Sequence, residues 1–543
     1  MIQVRSWSRF RSGALLFAFV FAFGMASAAY AANGPEVGPN IRVNDPQQLP
    51  PNDWPNRNTP SLAVSEDGER LVALFEDFQG FCGPPTNRPC PAPVPQGLTS
   101  FAFSTDGGET WTDAGALPPI GVATSVGHPW IDRGGEGENE VFYAVTRMRG
   151  TAASPVGLAG LGVYRGRFSA GTFVWEDARI INSTNPNDQY SRPALAAAKD
   201  NSGAAYIVFV NVLEMCGIAS FGFGQIEALR THDFGETWQG PVVISPDAAE
   251  SSDPSDPLCG VLGPLQVAPA VSVGPQGEVY AVWQKGPRAL DLLGNTETSS
   301  SIGFSRSLDG GATFDPPRTL VAINANYQNT PVGHGKSRQN DQPRTAAAWS
   351  GPYNGRAYVT FNQPVQPVNS PITVQSAVSA EAFITYSDDQ GLTWSTPAPI
   401  APPVAPTGVK RLWPTVSIRP GGAVDVVYLE SRETQATPDP TDIECNMPTG
   451  VGRRIGPLSS LVDTWWVQSR DGGATFGPPV RVSEQTSNWC TTFYTFSNGV
   501  FSNYGDYLGT ASGGNRTFVL WPDGRNGVTD VFFAEVKGKV DKK

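Results

Sequence analysis

The chain predicts an all-β fold, on three observations. A polar turn ending in an aromatic residue returns five times, short apolar strand pairs recur at comparable spacing, and helical periodicity is absent beyond the N-terminal segment. Gly 59 and Pro 49 among 543 residues suit many short strands joined by turns.

The N-terminal segment carries Arg5, Arg9 and Arg11, an apolar run from Gly13 to Gly24, and the small-residue pattern Ala29-Tyr30-Ala31. That order reads as a secretory signal peptide over residues 1–31, leaving 32–543 as one repeat domain. The run falls short of the roughly 20 apolar residues that a membrane span needs. Secretion is therefore expected, ending in the periplasm or outside the cell. A net charge of -12 disfavours nonspecific nucleic-acid binding, which needs a basic surface. Six cysteines in an exported chain read as disulfides. Pairing near neighbours joins Cys82 with Cys90, Cys216 with Cys259 and Cys445 with Cys490, although spacing leaves the connectivity open. No Cys/His spacing suits zinc, and neither a metal nor another cofactor is expected. The protein is expected to be a monomer.

The recurrent turn runs from Ser104 to Trp111, Thr231 to Trp238, Ser307 to Phe314, Ser387 to Trp394 and Ser469 to Phe476. Asp stands third in each, at Asp106, Asp233, Asp309, Asp389 and Asp471, and the first interval is nearly double the others. A unit with a degenerate strand pair over 161–183 fills that gap. Apolar strand pairs with a central turn follow at Ser61 to Phe75, Trp130 to Val145, Pro193 to Val210, Ala268 to Trp283, Thr345 to Phe361, Pro414 to Leu429 and Tyr507 to Trp521. Each leads to a third strand, the polar turn and a fourth strand such as Val480 to Ser483. Four antiparallel strands repeated about an axis describe a β-propeller, seven-bladed by this count. The last unit supplies three strands ending at Asp530 to Val536, and Asn40 to Asp45 is expected to complete it and close the ring.

The turns match Ser-x-Asp-x-Gly-x-Thr-Trp and so resemble the Asp box of the sialidase-like, BNR-repeat propellers, a likeness that covers nearly the whole mature chain. Ser and Asp side chains hydrogen-bond the turn, Gly tolerates positive φ, and the aromatic packs between sheets, so the turns read as scaffold. Two departures stand out. Sialidases have six blades, which keeps a six-bladed ring as the alternative, and the family's Phe-Arg-Ile-Pro motif is met only by Arg57-Asn58-Thr59-Pro60.

Function is expected where inner-strand entrances and strand-two exits converge near the axis. These positions hold Arg57, His128, Arg192, Arg344, Arg411, Tyr504, Asp506 and Tyr507, with Glu76, Asp77, Arg147, Glu430 and Arg432. Arginines gathered in an acidic chain suggest an anionic ligand, since guanidinium pairs bidentately with carboxylate. The resemblance implies a secreted sialidase-like glycoside hydrolase acting on an anionic glycan. By it, Tyr504 is the nucleophile, Glu430 its partner and Asp77 the acid/base. Arg344, Arg411 and Arg57 are the substrate ligands, with Arg192 and Tyr507 beside them. Two alternatives stay open: a polysaccharide lyase on uronic-acid glycans, using Tyr and His128, and a non-catalytic carbohydrate- or protein-binding propeller.

Overall fold

A computed structural model describes residues 34–46, 56–78, 97–149, 158–183, 189–212, 224–245, 264–288, 300–323, 342–365, 379–403, 409–434, 459–489 and 504–538, with the short pairs 214–215, 218–219, 495–496 and 499–500. The signal-peptide segment and all six cysteines lie outside the described residues.

The described chain is all β apart from one 3-10 turn at Gly137–Asn139, and its sheets form a β-propeller arrangement. Antiparallel strands follow sequence order in each sheet: Arg57–Val64, Leu71–Asp77, Thr99–Ser104 and Thr112–Ala116 in one, Trp130–Gly134, Val141–Arg149, Leu158–Ser169 and Thr172–Ile181 in the next. The order repeats from Gln189–Ala197 to Gln239–Ser245 and from Pro264–Val273 to Arg318–Ile323. A nine-stranded sheet contains two further runs, Arg344–Ala347 to Ala398–Pro399 and Val409–Ile418 to Val480–Arg481, joined at the parallel bridge between Ala380 and Lys410. The degenerate pair expected over 161–183 is the hairpin of Leu158–Ser169 with Thr172–Ile181.

Each second strand is covered on both faces, which explains its unbroken apolar run. In Val279–Arg288, Tyr280 and Val282 face the sheet that follows, while Ala281 and Trp283 face the one before. The innermost strands Arg57–Val64, Trp130–Gly134, Gln189–Ala197, Pro264–Val273, Arg344–Ala347, Val409–Ile418 and Gly509–Gly513 pack neighbour on neighbour in a closed cycle. Cross-sheet hydrogen bonds keep them in step: Ile131 N–H donates to Ser61 Oγ (3.1 Å), and the hydroxyls of Ser272 and Thr345, and of Ser417 and Ser512, lie 2.9 Å apart. Together they line an axial channel of about 340 Å³.

The expected closure is observed. Ile41–Arg42 pairs antiparallel with Phe533 and Phe532, and Val43 N–H donates to Val531 O at 2.9 Å. Val43 packs in one core cluster with Leu62 and Phe75 of the first sheet and Phe518 and Phe533 of the last. One boundary differs from expectation: several inner strands begin earlier, at Arg57, Gln189, Pro264 and Val409, because pairing continues past a bulge that accommodates a proline.

The recurrent turns are scaffold. Ser307 Oγ donates to Asp309 Oδ1 (2.7 Å) and accepts from Gly311 N–H (2.8 Å), while Thr313 donates its N–H (2.9 Å) and hydroxyl (2.6 Å) to the same carboxylate. The geometry repeats around Asp106, Asp389 and Asp471. Gly108 has φ +92°, and a Cβ there would sit 2.3 Å from the Phe533 ring of the adjoining sheet. The closing aromatic packs across the same seam, Trp111 against Phe533 at 5.2 Å and Trp394 against Phe304 at 5.2 Å.

These bonds set an acid limit. The hydroxyls of Thr313 and Thr393, with their backbone N–H groups, hold Asp309 and Asp389 down at about 2. A carboxylate held below its ordinary value near 4 stabilises the fold above that value, and the contribution is lost as pH falls through the lowered one. The urea midpoint is therefore expected to drop between about pH 4 and about pH 2. The Asp309→Asn/Asp389→Asn double variant should show a shallower drop; an unchanged slope would contradict the linkage.

Candidate functional site

A backbone device recurs where the inner strands begin. Thr59, His128, Arg192, Ala268 and Trp413 have φ between 48 and 56°, and each immediately precedes a proline. Four of them lie at one-residue register shifts, between Asn58 and Ser61, Ser191 and Ala194, Val267 and Ala270, and Leu412 and Thr415. Proline brings no N–H to the ladder, so the bulge removes the need for one. Positive φ is costly for side-chain-bearing residues and concentrates at sites where geometry matters. Because the inner strands run in step, these bulges meet at one end of the channel.

Asp506 lies within 4.0 Å of His128 and Arg192, two of these positive-φ residues, and is buried. It follows Gly505, at φ +86°, where a Cβ would sit 2.4 Å from Thr59 N. Its Oδ2 is 3.8 Å from His128 Nδ1 and 4.0 Å from Arg192 Nη1. His128 N–H donates to Glu76 Oε1 at 2.9 Å. The Tyr507 hydroxyl donates to Pro129 O at 2.6 Å, and burial holds this phenol well above its ordinary value, so it stays protonated.

Arg344 lies between two rings, its guanidinium carbon 4.8 Å from the Tyr507 centroid and 4.9 Å from that of Trp130. It donates to Gln342 Oε1 (3.1 Å) and Pro343 O (3.2 Å), and among the described residues it has no carboxylate at ion-pair distance. Burial lowers it to about 10, an effect that Tyr507 and Asp506 oppose; it remains a cation at neutral pH. Arg147 is lowered to about 10 by burial and then by Arg192, against the opposing charge of Glu76.

The other expected residues form separate groups. Arg57 and Asp77 are a cross-strand pair (3.1 Å), with Arg57 Nη1 also 3.9 Å from Asp530. Arg411 is buried between Glu381 (3.0 Å) and Glu430 (3.3 Å) and donates to Pro402 O (2.6 Å). Glu430 also accepts from Arg432 at 2.7 Å. The expected Tyr504 to Glu430 contact is not formed: two guanidiniums take the carboxylate, and the Tyr504 ring stacks on Trp489 at 3.7 Å and 9°. The structure therefore brings Arg344, Arg192 and Tyr507 together, and places Arg57 with Asp77 and Arg411 with Glu430 in pairs of their own. Sequence reasoning placed Asp506 among the converging positions without a role and missed the bulges; the repeated dipeptide of a non-glycine residue and proline at five inner strands was the available signal. Among the described residues no group of three His, Cys, Asp or Glu is placed to hold a metal.

No family model matches the chain, and no curated protein matches it. Similar solved structures include the Penicillium chrysogenum α-L-arabinanase complexed with arabinobiose, 16% identical, covering 73% of this chain and 94% of that one, TM-score 0.41. A PL25 ulvan lyase is 10% identical, covering 90% and 95%, TM-score 0.44. The Trypanosoma rangeli sialidase in complex with DANA is 13% identical, covering 70% and 53%, TM-score 0.38.

Proposed function

We propose that the chain is an exported, seven-bladed Asp-box propeller, each half of the nine-stranded sheet counting as one blade, and that it is a sialidase-like carbohydrate-active enzyme whose substrate is a glycan bearing a carboxylate. One observation carries this reading: Arg344 is buried between Trp130 and Tyr507 with no carboxylate at ion-pair distance among the described residues. Burying an unpaired cation is unfavourable, and a substrate carboxylate would supply the missing charge through a bidentate pair. The flanking rings offer apolar faces for a sugar. Arg411 is held between Glu381 and Glu430 and Arg57 between Asp77 and Asp530, so their role in this reading is to hold the blades' edges, with Arg344 as the first substrate ligand and Arg192, which shares Asp506 with His128, beside it. Tyr504 is the proposed nucleophile and Asp77 the acid/base.

The test is turnover of an aryl sialoside and of uronic-acid polymers by the mature protein. Release of the aglycone or of a reducing sugar is expected, with Arg344→Gln raising KM by about tenfold or more, the scale of one charge-assisted contact. No turnover of any anionic glycan would reject the enzyme reading. A second reading, a lyase, is favoured by His128 and Asp506 beside the protonated Tyr507, because β-elimination needs a base and an acid near a neutralised carboxylate. Its product has an unsaturated end absorbing in the ultraviolet.

A further inference from the structure

We propose that Arg147 and Arg192 form a second oxyanion subsite at the seam between the sheet of Trp130–Gly134 and the sheet of Gln189–Ala197, so that a saccharide with two anionic groups binds more tightly than one with a single charge. The proposal rests on the carboxylate-glycan reading and extends it. Side chains alternate along Val141–Arg149, which puts Arg147 on the face of Tyr143 and Val145. That face packs with Tyr190 and Leu195 of the following sheet. Arg192 stands between those two residues, displaced by its own bulge. Arg147 is anchored from below, its N–H donating to Gly127 O at 3.1 Å.

The charges at this seam are unevenly matched. Arg147 makes no side-chain hydrogen bond or ion pair among the described residues, and its buried Nε lacks a partner. The nearby carboxylates have other contacts: Glu76 accepts from His128 N–H, and Asp506 is shared by His128 and Arg192. The Arg147 guanidinium, without a side-chain partner among the described residues and beside that of Arg192, suits a group with two or three acceptor oxygens, a saccharide carboxylate or sulfate. Arg344 forms the other cationic position at the same channel end.

Calorimetric titration of the mature protein with galacturonic acid, digalacturonic acid and sodium sulfate tests this. Arg147→Gln should weaken digalacturonic acid by about tenfold and leave galacturonic acid within about twofold, and Arg147→Lys should fall between, since Lys keeps the charge and loses the fork. Arg344→Gln should weaken both saccharides and spare sulfate. Equal loss of both saccharides in Arg147→Gln, or no loss, would overturn the second subsite, provided the unliganded melting temperature is unchanged. If wild type binds neither saccharide, the glycan reading fails separately. Arg147-dependent sulfate binding would then still support the oxyanion subsite, and its absence would overturn it.

Discussion

Asp425→Ala is expected to lower the unfolding free energy by about 3–5 kcal/mol, the range for breaking a buried ion pair from one side. The Asp425 carboxylate accepts from Arg419 Nε (2.6 Å), Trp466 Nε1 (2.9 Å), Gln468 Nε2 (3.0 Å) and the Thr517 hydroxyl (2.7 Å). Arg419 also donates to Asn515 O (2.7 Å) and Val536 O (3.2 Å), so one ion pair and its hydrogen bonds tie the 419–425 turn to Trp466 and Gln468 of its own sheet and to residues 515–517 and Val536 of the last sheet, across a blade seam. Removing the carboxylate leaves a guanidinium in a site from which water is excluded, with several donors unsatisfied at once. The Arg419→Met/Asp425→Leu pair should recover part of the loss, because it removes both charges and keeps volume. Chemical denaturation followed by tryptophan fluorescence measures both variants. A loss below about 1 kcal/mol for Asp425→Ala would mean that the network contributes no more than an exposed pair.

Tyr504→Phe is expected to reduce sialoside turnover by several orders of magnitude while leaving the fold intact. A covalent nucleophile divides one difficult displacement into two easier ones, and without its hydroxyl the first step has no route. Tyr is suited to a substrate whose carboxylate would repel an anionic nucleophile. The fold should survive, since Phe keeps the face-to-face stack on Trp489 and the surrounding cluster with Trp413 and Leu412. The comparison with His128→Ala decides between chemistries. Loss in Tyr504→Phe alone supports the hydrolase, whereas loss in His128→Ala with Tyr504→Phe unchanged supports elimination and removes Tyr504 from the site.

Much of the scaffold was legible in the chain. The Ser, Asp, Gly and Thr of each turn bond to one another within a few residues, so their pattern carries its structure wherever it occurs. The paired strands were readable because burial on both faces demands continuous apolar runs. Even the ring closure followed from a last blade one strand short and an unmatched Asn40 to Asp45, which docks on Asp530–Lys537.

The site was legible only as a population of charges. Sequence placed Arg57, Arg344 and Arg411 at equivalent positions, and nothing local distinguishes them. The tertiary structure pairs Arg411 with Glu381 from a neighbouring blade and Arg57 with Asp77 and Asp530, and gives Arg344 two rings instead of a carboxylate. Arg147 was visible as a cation, but not as a half-buried one beside Arg192. Whether a guanidinium is neutralised depends on groups within about 4 Å, because Coulomb attraction falls with distance and only a close partner offsets much of the desolvation cost. Around a propeller axis those groups come from blades far apart in sequence.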